Sequence, residues 1–224
     1  MSQQLFRSAY VVVAALACAA VVSADPPVRN DNLVPFFRDI RGGACDPLDN
    51  SVGMITAATP LSTPLFNGNR NPGGSVPAPC NMVLAPDGHQ MTLGEFKASV
   101  GRVLVNCINT GTHTAIHYSG LRPNGTYSVW LFKVNPNPPP FYDGAGTLGI
   151  TALSENHFVA SESGEGELAR TTPEQDLSAF GHVGSCFLDG TVELHLVFHI
   201  DQHTHGFLPG PGNTRVVNAR FFFP

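Results

Sequence analysis

Apolar and polar positions alternate most regularly over residues 191–205, TVELHLVFHIDQHTH. At a period of two, Val192, Leu194, Leu196, Phe198 and Ile200 share one face, and Glu193, His195, Val197, His199 and Asp201 share the other. A helical period would align His195, His199 and His203 but scatter the apolar residues around the cylinder. The pattern therefore predicts a half-buried strand with an imidazole and carboxylate row facing solvent. Similar short segments recur along the chain: GRVLVNC at 101–107, THTAIHYSGL at 112–121, TYSVWLFKV at 126–134, residues 157–161, residues 165–172 and RVVNARFFF at 215–223. The first two read as a hairpin, and LRPNG at 121–125 as a tight reversal. About eight such strands, with turn chemistry between them and no long 3.6-residue period, predict an all-β antiparallel β-sandwich or jelly-roll-like domain over 91–224.

The pattern breaks upstream. Residues 25–90 are rich in Pro and Gly and weakly periodic, which predicts an irregular N-terminal arm laid over the sandwich. Residues 1–24 place Arg7 before the apolar run 11–22 and end in Val22-Ser23-Ala24, the form of a secretory signal peptide. No later apolar run is long enough to predict a transmembrane segment. A secreted chain, extracellular or periplasmic, favours disulfides, and four of the five cysteines lie beyond residue 24. Cys45 with Cys80 and Cys107 with Cys186 is the preferred pairing among three, since the first two fall in the arm and the others flank strands. No C-x-x-C pair points to a thiolate metal site.

Composition narrows the function. Charged residues are only 13% of the chain, the formal net charge is −5 and no basic run occurs, which argues against a nucleic-acid partner. The histidines carry the candidate chemistry. Residues two apart on a strand project to one side about 7 Å apart and can share an ion, whereas His195 and His199 are too far apart to do so. The chelates that fit are His199 with Asp201, or His203 with His205, completed from another strand. His113 and His117 supply a further ligand if their strand lies alongside. Such a set suits zinc, copper or iron. The competing expectation is that these side chains are structural, with Asp201 to His205 capping a tight bend.

Enzyme motifs are missing. No G-x-S-x-G nucleophile is present, and the carboxylates Glu155, Glu162, Glu165, Glu167, Glu193 and Asp201 define no pair by sequence alone. Tyr127, Trp130, Phe141 and Tyr142 are candidates for a carbohydrate platform, weighed against a place in the core. Asn124-Gly125-Thr126 forms an N-glycosylation sequon. LRPNGTYSVWLFKV, ASESGEGELARTTP and VELHLVFHIDQHTHG followed by GPGNT together resemble a group of exported, mostly bacterial all-β proteins with no assigned activity. That resemblance covers about residues 91–224, implies an exported all-β domain and carries over no site residue. The expectation is a non-enzymatic binding or surface-associated structural module with a carbohydrate or cell-surface protein as partner. The alternative is a metal-binding protein or metal-dependent enzyme using residues 195–205.

Overall fold

The computed structural model describes residues 27–43, 53–68, 81–134, 142–147, 156–173, 186, 192–205 and 210–223. Thirteen strands are β1 (Val28–Asn30), β2 (Leu33–Pro35), β3 (Ile40–Gly42), β4 (Gly53–Met54), β5 (Leu65–Asn67), β6 (Val100–Ile108), β7 (Gly111–Ser119), β8 (Thr126–Val134), β9 (Tyr142–Thr147), β10 (His157–Val159), β11 (Gly166–Pro173), β12 (Val192–His199) and β13 (Arg215–Phe222). The first sheet runs β1-β6-β7-β11. The second runs β10-β8-β12-β13-β2, with β9 also pairing β8, and a small third sheet runs β4-β3-β5. All pairings are antiparallel. The fold is the expected all-β sandwich, with eight strands beyond residue 90.

The core lies between the two large sheets. Val103, Val105, Ile116 and Tyr118 from the first meet Tyr127, Val129, Leu131, Leu194, Leu196, Phe198, Val216 and Phe221 from the second. Each such side chain contributes on the order of 1.5–3 kcal/mol through removal from water. The N-terminal third does more than lie over this sandwich. β1 adds an edge to the first sheet and β2 an edge to the second, while Ile40, Leu65, Val83 and Ala85 enter the same core. One helical turn, α1 (Leu93–Lys97), starts at a capping box in which Thr92 and Glu95 satisfy each other's backbone N–H. Its Leu93 and Phe96 are buried.

The turn at 121–125 forms as its residues predict. Asn124 adopts a φ of 59° and Gly125 N–H donates to Arg122 O at 3.0 Å. Cys107 and Cys186 form a disulfide with their Cα atoms 5.2 Å apart. Cys45 and Cys80 lie outside the described residues, as do the signal segment 1–24 and the proline loop 135–140. Among the described residues, no helix is long and apolar enough to cross a membrane.

β12 is the central strand of the second sheet, paired with β8 on one side and β13 on the other. Its register with β13 shifts between Leu196 and Val197, which face Ala219 and Val217 and leave Asn218 as the extra residue. This bulge resets the alternation of β13. Arg215 and Val217 before it, and Arg220 and Phe222 after it, therefore all stand opposite His199, Val197, His195 and Glu193. Asn218 is tied down by its own bonds, donating from Nδ2 to Phe96 O at 3.0 Å and accepting from Phe36 N–H at 3.0 Å.

Candidate metal centre

The row predicted to face solvent is buried instead. Every residue of β12 is buried, with His195 and His199 each only 1% exposed. A second apolar cluster, Phe36, Trp130, Val197 and Val217 with Phe132 packed against it, lies on this outer face. Trp130 and Tyr127 are therefore core residues, and neither offers a ring to a sugar. Phe141 lies outside the described residues, as does the side chain of Tyr142.

Burial forces each polar group on this face to find a partner. His195 Nε2 lies 2.8 Å from Glu193 Oε2, and Arg220 Nη1 donates to the same oxygen at 3.3 Å. Phe132 stacks on the His195 ring at 4.0 Å between centroids. Burial pushes the His195 pKa below its ordinary value, although Glu193 opposes the shift. These contacts hold His195 in a packed network with Glu193, Arg220 and Phe132, and it does not join the group formed by His199, Asp201 and His205.

His199 is differently placed. Its Nε2 lies 2.7 Å from Ser128 Oγ, which also accepts from Trp130 Nε1–H at 2.7 Å. A hydroxyl oxygen can accept two such bonds, so with the hydrogen on His199 Nε2 both Trp130 and His199 donate to Ser128 Oγ; with Nε2 bare, the Ser128 hydroxyl donates to it instead. Among the described residues, His199 Nδ1 is buried without a hydrogen-bond partner. The first arrangement leaves Nδ1 with a lone pair able to ligate a cation, and the second places the hydrogen there. Burial lowers the His199 pKa to about 4, which keeps the ring neutral through the physiological range.

Past the end of β12 the chain bends back on itself. Gln202 takes a φ of 58° and its side chain accepts from Thr126 N–H at 2.9 Å while donating to His199 O at 3.0 Å. Asp201 Oδ1 accepts from His203 N–H at 3.1 Å, the capping role foreseen for this segment. Asp201 Oδ2 lies 2.8 Å from His205 Nε2. Gly210, at φ 84°, lets the chain pass against the His205 ring, since a Cβ there would come 2.3 Å from Cδ2. The bend thus brings His199, Asp201 and His205 together, with one ligating atom from each lying within 4.8 Å of the others.

Two expectations fail on geometry. His203 is exposed and its Nδ1 donates to the Asp201 carbonyl, so the His203 and His205 chelate does not form. His113 and His117 sit on β7 in the first sheet, not beside β12. There His113 Nδ1 lies 3.1 Å from Thr171 Oγ1, and His117 pairs with Glu165 at 3.3 Å. Neither belongs to the cluster. Ser128, Trp130 and Gly210 complete the site; Trp130 is the platform candidate in another role, and no local pattern marks Gly210. The polar positions Thr126 and Ser128, alternating with apolar residues along β8, are the signal that marks Ser128.

A separate polar chain joins Asp87, His89, Glu95 and Arg122. His89 Nδ1 lies 2.6 Å from Asp87 and Nε2 2.9 Å from Glu95, which also pairs with Arg122. Bonds to Glu95 and Asp87 raise the His89 pKa. This chain fastens the turn at 85–89 to α1 and to the 121–125 turn.

No family model matches the chain, and no curated protein does either.

Proposed function

We propose that the protein is an exported, disulfide-bonded β-sandwich that binds a divalent transition metal through His199, Asp201 and His205. The convergence of those three groups to within 4.8 Å carries the reading. Around a tetrahedral zinc ion the ligand atoms lie about 3.3 Å apart, so closure requires shifts of about 1–1.5 Å. Asp201 and His205 have side chains 29% and 28% exposed and can supply that movement, while the buried His199 stays fixed. The hydrogen that His205 Nε2 shares with Asp201 Oδ2 leaves as the ion enters, to solvent or to Nδ1 of the same ring.

Other features of the site favour an ion over a purely structural role. The bond between His199 Nε2 and Ser128 Oγ holds the ring orientation, and donation from Nε2 to that hydroxyl leaves Nδ1 for the ion. Two imidazoles and one carboxylate suit zinc, with copper(II) the stronger competitor on general affinity. Three protein ligands leave a fourth position open. The apolar leader and the Cys107–Cys186 bond support export into an oxidising compartment. The role proposed is binding of the ion.

Metal analysis of untagged protein, equilibrated with zinc and desalted, tests this reading. Wild type and His203→Ala are expected to retain one equivalent, and His205→Ala to lose it. Absence of stoichiometric metal from wild type overturns the proposal.

A further inference from the structure

Resting on the metal reading, we propose that the fourth position of the bound ion takes a small oxyanion whose second oxygen pairs with the Arg215 guanidinium. The ligand class is a carboxylate or a phosphate. The β13 bulge sets Arg215 directly opposite His199 in the register, and directly opposed residues project to the same side of a sheet about 5 Å apart. The side chain is half-buried and anchored at one point, where Nε donates to Gly210 O at 3.0 Å. Gly210 is the residue packed on the His205 ring, so guanidinium and ligand share one support. Among the described residues, the two Nη groups of Arg215 make no hydrogen bond.

The charges also fit. A divalent ion on two neutral imidazoles and one carboxylate keeps a positive charge, and Arg215 adds a second beside it. Asp39 is the nearby carboxylate: its Oδ2 accepts from Val217 N–H at 3.1 Å, and its charge opposes the lowering of the Arg215 pKa by burial. A guanidinium presents a planar fork that matches the paired oxygens of a carboxylate or phosphate. The half-exposed Asp201 and His205 leave the solvent side of the ion open to such a ligand.

Cobalt(II)-loaded protein reports ligand exchange through its visible absorption. Acetate and phosphate are titrated separately at fixed ionic strength into wild type, Arg215→Gln and Arg215→Lys. A saturable spectral change with acetate, phosphate or both is expected in wild type and identifies which anion the site accepts. Arg215→Gln is expected to bind cobalt as wild type does but to lose about tenfold in anion affinity, with Arg215→Lys between the two. An unmoved wild-type spectrum, or equal anion affinity in wild type and Arg215→Gln, overturns the oxyanion proposal. Failure of wild type to bind cobalt overturns the metal reading instead.

Discussion

On β7, His113 stands in solvent beside Thr171, and His117 is half-exposed against Glu165. On β12, His195 and His199 occupy the same alternating positions relative to their strand's apolar residues, yet each is 1% exposed. The two strands read alike in sequence because each alternates inward and outward residues. Their environments differ because Phe36, Trp130, Val197 and Val217 build a second apolar layer on the outer face of the second sheet. An outward histidine under such a layer must be paired or neutral, whereas one in water need be neither. The candidate metal centre sits at the margin of this layer, where a buried imidazole meets a half-exposed bend.

The largest test of that difference is truncation of the layer itself. Trp130→Ala is expected to lower unfolding free energy by about 3–5 kcal/mol, since it opens a cavity and removes the bond to Ser128. Leu104→Ala, on the outer face of the first sheet and 43% exposed, is expected to change it by about 0.5 kcal/mol or less. Denaturant titration of both variants measures the contrast. Equal effects would mean that the two outer faces are energetically alike.

Acid supplies a second contrast. The His199 pKa is about 4 in the folded protein, against an ordinary value of 6.5. As pH falls through that window the unfolded chain takes up a proton that the folded chain does not, so stability present above 6.5 is lost towards 4. The full difference is about 3 kcal/mol. His195 is shifted the same way by burial and adds to the loss. In metal-free protein, His199→Gln is expected to flatten the pH dependence of stability over that range. An identical pH profile for wild type and His199→Gln would contradict the buried, neutral ring.

A smaller effect probes the support of the ring. Ser128→Ala strands Trp130 Nε1–H and His199 Nε2 in a buried site, at a cost of about 1–3 kcal/mol. Thr171→Val removes the solvent-side partner of His113 and is expected to cost about 0.5 kcal/mol or less. Thermal melts of the two variants compare them directly.

The inner half of the fold was legible in the sequence. Val103 and Val105, Leu194 to Phe198 in alternate positions, and the Asn124-Gly125 reversal specify strands and turns through local rules. Alternation could not show what covers the other face, because Phe36 lies about 160 positions upstream of Val197 and reaches it only through the pairing of β2 with β13. The bulge at Asn218 is likewise invisible locally, although it alone sets Arg215 opposite His199. Asp201 and His199 were recognisable by their spacing. His205 joined them for a reason that spacing does not encode, the backward bend supported by Gln202 and Gly210.

The central claim is that the buried histidine at the margin of the covered sheet, and no histidine of the open one, holds a metal ion. Calorimetric titration of zinc into wild type, His199→Gln and His117→Gln tests it most directly. One equivalent bound by wild type and His117→Gln, and none by His199→Gln, is the predicted result; equal binding by wild type and His199→Gln, or loss of binding in His117→Gln, would contradict it.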